Sequence, residues 1–202
     1  MVSAHDKYAD EYDGQIKNYD CYIADVLFGL SYEYTKKGDT ILDMGIGTGI
    51  SSRLFYLAGL QVYGIDGSSE MLNICKTKGI AKELIKQDVL VFPWPYQDDM
   101  FNHIISCGVF HFIGNLDKLF DEISRVHKND GIFAFTVMEG KDDQRNREKY
   151  QNRIEDGLNI FSHKASYIYK LLKNNCYSKE KEIVSFVGQT QFRVIVARKG
   201  KA

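Results

Sequence analysis

A short apolar run ending in an acid, Ile41-Leu42-Asp43, leads straight into Met44-Gly45-Ile46-Gly47-Thr48-Gly49, with alternating glycines ahead of a helical segment. Glycine is required where backbone takes positive φ or lets a ligand approach closely, so the turn reads as part of a binding site. Three ligands suit it: a dinucleotide, a phosphate or an adenosyl group. A dinucleotide fingerprint needs G-x-G-x-x-G, and its third glycine falls at Ile50 here. A phosphate loop needs G-K-S/T, whereas Ile50-Ser51-Ser52 follows Gly49. The acid at position 43 also repels a pyrophosphate and favours a cationic amine, so both phosphate readings weaken.

Two more acids stand at the ends of the next two strand-like runs. Asp66 lies 23 residues after Asp43, and Asp88 lies 22 residues after Asp66. That interval matches one strand-helix unit, which brings all three carboxylates to the same carboxyl edge of a sheet, where open α/β folds bind ligands. A carboxylate accepts two hydrogen bonds side by side, as vicinal ribose hydroxyls offer them, and Asp66 is the natural candidate. Asp88 suits an exocyclic adenine amine, and Met71, one turn into the following helix, suits the adenine face. Any one of these acids alone reads more simply as a helix cap or loop acid. Three in register beside the glycine turn reverse that preference.

The elements that position these residues follow from periodicity. Between Asp39 and Val196, apolar runs of strand length alternate with segments of helical period, the pattern of an α/β fold with a mostly parallel sheet. Strands are expected at Thr40 to Asp43, Gln61 to Ile65, Glu83 to Lys86, Asn102 to Ser106 and Ile132 to Val137. The last follows the turn Lys128-Asn129-Asp130-Gly131. Helices are expected at roughly Ile50 to Ala58, Ser69 to Lys78 and Leu116 to His127. Glu182 to Val187 and Phe192 to Ala197, separated by Gly188-Gln189-Thr190, read as a hairpin with a three-to-four-residue loop that closes the sheet.

Two segments fall outside the alternation. Residues 5 to 35 carry Tyr8, Tyr12, Tyr19, Tyr22 and Leu27 at near-helical spacing, and residues 141 to 160 open with the charge-dense stretch Lys141 to Lys149. The first is either an aromatic stripe packed on the core or a cover over the site. The second is either a solvated helix face or a second cover.

Composition narrows the partners. The 202 residues amount to about 1.3 domain lengths, so one domain is expected over 1–202. It divides into an N-terminal helical lid at 1–35, a cofactor-binding core at 38–138, a substrate-side insertion at 139–178 and the closing hairpin at 179–202. With 26 Lys+Arg against 27 Asp+Glu, the chain lacks the charge excess of a phosphate-neutralising protein, and nucleic acid is disfavoured. Cys21, Cys75, Cys107 and Cys176 are widely spaced, which argues against a zinc site or a disulfide framework and for a reducing cytoplasm. The sequence around His5-Asp6-Lys7 lacks a signal-peptide layout and no run of about 18 apolar residues occurs, so a soluble, unexported protein without membrane insertion is expected.

At this point the chain resembles class I S-adenosylmethionine-dependent methyltransferases. The matching pieces are Ile41 to Gly49, Gly64-Ile65-Asp66-Gly67-Ser68-Ser69-Glu70-Met71-Leu72, Gln87-Asp88-Val89, Phe92-Pro93-Trp94-Pro95 leading into Phe101 to Ser106, and Val126 to Phe133. The resemblance covers roughly residues 38 to 138 and implies a Rossmann-like sheet of seven strands with helices on both faces and a C-terminal antiparallel hairpin. The opening Tyr8-Ala9-Asp10-Glu11-Tyr12-Asp13 is similar to the first helix of the small-molecule group related to ubiquinone/menaquinone enzymes, which closes over the cofactor. The resemblance therefore implies S-adenosyl-L-methionine as methyl donor and S-adenosyl-L-homocysteine as product, with Tyr12 and Tyr19 on the covering helix. It implies Gly45, Gly47 and Gly49 along the methionine part with Asp43 near the amine, and Asp66 on the ribose. It implies Gly67, Ser68 and Met71 around the adenosyl edge, Gln87, Asp88 and Val89 at the adenine, and Cys107 and Gly108 near the transferred methyl. Two departures stand out: Asn129-Asp130-Gly131 replaces the family's frequent Pro-Gly-Gly, and Ser106-Cys107-Gly108-Val109-Phe110 replaces the Asn/Asp-Pro-Pro-aromatic sequence that marks nucleobase amine methylation.

A sulfonium methyl is already activated, so catalysis needs in-line placement and exclusion of water more than a fixed catalytic group. A hydroxyl, thiol or carbon-acid acceptor also needs a base, and His111 and His163 are the candidates; each reads equally as a surface or capping histidine. The expected activity is methyl transfer to a small-molecule acceptor by a monomer or homodimer, with no metal. An RNA or protein methyltransferase, drawing on Lys170, Lys173, Lys179 and Lys181, and a non-catalytic S-adenosylmethionine-binding protein are the alternatives.

Overall fold

A computed structural model describes residues 2–19, 21–141 and 148–201. Most of the charge-dense stretch after Lys141 lies outside them, and so do the side chains of residues 2–8 and 10, Tyr8 among them. The chain opens with α1 (Val2–Asn18) and α2 (Ile23–Ser31), then runs β1 (Thr40–Met44), α3 (Arg53–Leu57), β2 (Gln61–Asp66), α4 (Ser69–Lys78), β3 (Glu83–Lys86) and β4 (Phe101–Ser106). It continues through α5 (Asp117–Val126), β5 (His127–Gly140), β6 (Tyr150–Glu155), β7 (Leu158–Lys164), α6 (Ala165–Asn174), β8 (Tyr177–Val187) and β9 (Thr190–Lys199).

The main sheet has the strand order β3-β2-β1-β4-β5-β9-β8. The first five strands are parallel, β9 runs antiparallel to β5, and β8 runs antiparallel to β9. This is the expected Rossmann-like sheet with a closing hairpin. Its central strands are buried on both faces, which is why they read as nearly continuous apolar runs rather than alternating ones. The pleat sends Ile41, Val62, Ile105, Ile132 and Ala134 to one core, with Leu27 of α2, Phe55 of α3 and Cys75 of α4. It sends Leu42, Met44, Ile65, Phe133 and Phe135 to the other, under Phe120 and Ile123 of α5 and Ile168 and Leu171 of α6. In α5 the apolar positions 119, 120, 123 and 126 fall on one face, the stripe that a helix on a sheet needs.

Three expectations need correction. The segment after Lys149 is a β-hairpin, β6 with β7, not a helix face; it joins the sheet only where Glu139 and Gly140 of β5 pair with His163 and Lys164. Its signal is weak because β6 is largely exposed and carries charged residues where a buried strand would carry apolar ones. The closing hairpin turns through two residues, Gly188 and Gln189, with Val187 paired to Thr190; Gly188 takes φ +57°, which lets so tight a loop form. The turn at Lys128 to Gly131 lies within β5, with Asp130 at φ +65° and a register shift opposite Phe101 and His103. Among the described residues no helix is long and apolar enough to cross a membrane.

Neighbouring strands β1 and β4 send their chains to opposite sides: β2 and β3 follow on one flank, β5 and β9 on the other. The loops that leave their carboxyl ends therefore diverge and open a crevice between them, the ligand position of doubly wound sheets.

Candidate active site

The crevice is a cavity of about 400 Å³, within the usual range for small-molecule sites. Its floor is the glycine turn after β1. Gly45 takes φ +76°, and a Cβ there would stand 2.4 Å from Val109 Cγ2, so the loops after β1 and β4 touch in a way only glycine permits. Gly47 faces the cavity and its N–H donates to Asp66 Oδ2 at 2.8 Å, while Ser68 N–H donates to Asp66 Oδ1 at 2.8 Å. These two amides fix the plane of the Asp66 carboxylate at the end of β2; a carboxylate offers about four acceptor positions in all. Ser68 is also the N-cap of α4, its Oγ accepting from Met71 N–H at 3.1 Å, which brings Met71 to the wall. Asp88 holds its own turn by accepting from Leu90 N–H at 2.9 Å, and Asp88, Val89 and Leu90 form one end of the cavity.

The opposite end is built from other elements. Cys107, Gly108 and Val109 leave β4, and His111 and Phe112 follow in a single 3-10 turn at Phe110–Phe112. Gly108 N–H donates to Thr136 Oγ1 of β5 at 2.8 Å, fixing that loop on the sheet. Tyr12 and Ile16 of α1, Cys21, Ile23 of α2, and Val187 and Phe192 of the closing hairpin complete the enclosure. Burial pushes the Tyr12 phenol and the Cys107 thiol well above their ordinary ranges, so both stay protonated at neutral pH. Helix α1 is tied down by Asp13, which accepts from Thr48 Oγ1 of the glycine turn at 2.6 Å and pairs with Lys78 of α4 at 2.5 Å.

The cavity thus gathers twelve of the expected residues: Tyr12, Gly45, Gly47, Asp66, Gly67, Ser68, Met71, Asp88, Val89, Cys107, Gly108 and His111. Five fall elsewhere. Tyr19 is 72% exposed, one residue beyond α1, and does not line the cavity. Gly49 (φ +85°) points away from it: a Cβ would meet Ile80 Cδ1 at 2.6 Å and Cys75 Sγ at 2.9 Å, so this glycine lets the turn pack on the core. Gln87 turns outward, its Nε2 donating to Val91 O at 2.7 Å. His163 ends β7 rather than starting a helix; it is buried, its Nε2 lies 3.0 Å from Gly114 O, and burial lowers its pKa, so it is a neutral packing residue.

Asp43 is the most consequential departure. It is fully buried beneath the turn, with Oδ2 accepting from Ser51 Oγ and Ser52 Oγ at 2.6 Å each. Its Oδ1 is buried with no hydrogen-bond partner among the described residues. Burial lifts the pKa to about 6 against the two serine bonds that lower it, with the Asp66 charge adding a smaller rise. Ser51 lines the cavity, so the charge acts on an occupant from behind the wall. An adenosyl amino-acid ligand fits this set: a cation relieves the uncompensated Asp43 charge, Asp66 and Asp88 face the opposite flank, and Met71, Val89 and Leu90 offer apolar surface.

Sequence reasoning missed Ile16, Cys21, Ile23, Thr48, Thr136, Phe112, Val187 and Phe192 as wall residues. Thr48 sits inside the glycine turn and could have been read from it; the others carry no local signal, since they meet only where α1, α2, the loop after β4, β5 and the closing hairpin converge.

A family profile described as a methyltransferase domain matches residues 42–135. An uncharacterized methyltransferase of Anoxybacillus flavithermus is 28% identical over 164 residues, which cover 77% of this chain and 74% of that one. An uncharacterized protein of Methanocaldococcus jannaschii is 34% identical over 134 residues, covering 66% of this chain and 49% of that one, so the match spans about half of that relative. In fold, the chain is similar to Burkholderia thailandensis 1,6-didemethyltoxoflavin-N1-methyltransferase, crystallised with 1,6-didemethyltoxoflavin and S-adenosylhomocysteine: TM-score 0.75, 15% identity, covering 99% of this chain and 88% of that one. Residues 42–135 therefore carry a methyltransferase domain, with the glycine turn and the acid-lined crevice inside it, and these relationships support the class I S-adenosylmethionine-dependent kind.

Proposed function

We propose that the protein transfers the methyl group of S-adenosyl-L-methionine to a small-molecule acceptor by in-line displacement. The observation that carries this reading is the division of one cavity into an acid-bearing end and an end without charged side chains, enclosed by α1 and the closing hairpin. Asp66 receives the ribose hydroxyls, Asp88 the adenine amine, and Met71, Val89 and Leu90 the adenine face. The backbone of Gly45 and Gly47 lies along the amino-acid part, and Asp43 balances its ammonium through the wall at Ser51. The sulfonium supplies a methyl that needs no further activation. What the protein contributes is orientation and a site closed to water. His111, in the 3-10 turn beside Cys107 and Gly108, takes the proton of an acidic acceptor. Helix α1 serves as a lid, latched by Asp13, and His163, packed against Gly114, Tyr150 and Tyr167, supports the fold rather than the chemistry.

Two measurements test this. Calorimetric titration with S-adenosylhomocysteine should show binding that Asp66→Ala weakens strongly; equal affinity for wild type and variant removes Asp66 from the ribose. Incubation of a metabolite pool with isotopically methyl-labelled S-adenosylmethionine should label at least one low-molecular-weight product. Labelling confined to RNA or protein would overturn the small-molecule reading.

A further inference from the structure

The wall of the cavity carries its charge at one end only. Among the described lining residues Asp66 and Asp88 are the acids, both belong to the end at the glycine turn and β3, and there is no Lys, Arg or Glu. Around the other end stand Ile16, Ile23, Ala24, Phe112, Val187 and Phe192, with Tyr12, Cys21, Cys107, Thr136 and His111 as the polar groups. Tyr12 and Cys107 are held protonated by burial, and Thr136 already accepts the Gly108 amide. The aromatic surface is contiguous: His111 lies 4.0 Å between ring centroids from Phe112 and meets Phe192 edge-on at 5.8 Å. Phe112, Val187, Phe192, Ile23 and the two cysteines also pack in one apolar cluster. Beside the mouth, Tyr22 and Phe186, each next to a wall residue, are both 63% exposed.

An ionised acceptor placed here leaves a charge without a partner in an apolar site, which costs several kcal/mol. Among the described lining residues a carboxylate or phosphate meets no Lys or Arg, and an ammonium meets no acid, at this end. Planar rings, by contrast, find faces and edges to stack against. We propose that the acceptor is an uncharged, planar, apolar molecule presenting a hydroxyl or thiol to His111. In the transfer, the acceptor heteroatom forms its bond to the methyl carbon as the carbon–sulfur bond breaks onto sulfur, leaving a neutral thioether, while the acceptor proton passes to His111 and on to solvent. The proposal rests on the methyltransferase reading, and the experiment separates the two.

The full chain saturated with S-adenosylhomocysteine is titrated at neutral pH with three probes of equal ring size, followed by naphthalene fluorescence: 2-naphthol, 2-naphthoate and 2-naphthylmethylammonium. Naphthol should bind at least about tenfold more tightly than either charged probe, a difference of about 1.4 kcal/mol. Val187→Asp, which puts a charge on a half-buried wall position, should weaken naphthol and strengthen the ammonium probe by about tenfold each. S-adenosylhomocysteine titration of the same variant reports whether it is folded, and Ile23→Asp is the second choice where it is not. Equal or tighter binding of a charged probe, or no binding of any probe to the cofactor-loaded protein, overturns the acceptor class and leaves the methyltransferase reading standing. An unchanged order of affinities in the folded aspartate variant overturns it too. Failure of S-adenosylhomocysteine itself to bind overturns both.

Discussion

Asp43→Asn isolates the energetics of the charge beneath the glycine turn. The carboxyl, ordinarily near 3.8, is lifted to about 6 by complete burial. A group whose folded pKa is raised binds more protons in the native state, so its ionised form destabilises the fold as pH rises from the unfolded value towards the folded one. At about 1.36 kcal/mol per pKa unit, the penalty is about 0.5 kcal/mol at pH 4, roughly half developed near pH 5, and reaches about 3 kcal/mol above pH 7. Asparagine does not titrate. Its amide nitrogen, at the position of the partnerless Oδ1, adds a constant desolvation cost of about 1–3 kcal/mol, but constant terms cancel in the pH dependence. Urea unfolding of ligand-free wild type and variant across pH 4 to 7.5 therefore reads the charge directly: the stability of the variant relative to wild type should rise by about 2.5 kcal/mol over that span. Binding of S-adenosylhomocysteine completes the argument. Wild-type affinity should fall as pH drops below about 6, because the compensating carboxylate is lost, while the variant binds more weakly and without that dependence. A relative stability that stays flat within about 1 kcal/mol refutes the buried-charge reasoning.

Asp66→Asn keeps the shape of the residue that orients Gly47 and Ser68 but removes its charge; losing charge-assisted hydrogen bonds of about 1.5–3 kcal/mol should weaken S-adenosylhomocysteine binding by tenfold to a hundredfold in calorimetry. Gly49→Ala forces a side chain into positive φ against Ile80 and Cys75. It should lower stability by about 2 kcal/mol, or about 4–8 °C in the melting temperature, with little change in cofactor affinity. His111→Gln should abolish the acidic limb of the pH-rate profile with a hydroxyl acceptor, whereas His163→Gln should lower the melting temperature and leave that limb in place. Asp13→Asn loosens α1 from Thr48 and Lys78; tryptic cleavage within α1 should accelerate about fivefold, the effect of roughly 1 kcal/mol, and S-adenosylhomocysteine should still slow it.

The parallel core was legible because burial on both faces wrote itself into apolar runs such as Ile41-Leu42 and Ile104-Ile105, and because the acids at 66 and 88 recur at the spacing of one strand-helix unit. The roles of individual turn residues were harder to read. Gly45, Gly47 and Gly49 look alike in sequence, yet one permits contact with Val109, one presents an amide to Asp66 and one packs on the core. The same limit applies to Asp43, which shares a sheet face with Asp66 but pairs with Gly64, two residues deeper in the sheet, and so lies beneath Ser51 and Ser52 instead of in the crevice. The hairpin of β6 and β7 escaped notice because four consecutive β6 residues, 152–155, are exposed, Arg153 and Glu155 among them, which erases the period of two. His163 then sits at the end of β7 against Gly114, where no helical reading of the segment would place it.

Tyr12, Ile16, Cys21 and Ile23 all line the cavity, and in the proposed assignment this wall borders both the cofactor and the acceptor. Two occupants that share a movable wall cannot exchange independently. With α1 as the lid proposed above, release of the spent donor displaces the surface against which the acceptor rests, and a compulsory sequence is expected: donor first on, donor product last off. Product-inhibition kinetics check this: the product thioether should compete with S-adenosylmethionine but not with the acceptor, and the opening of α1 rather than the transfer itself should limit the rate at saturation.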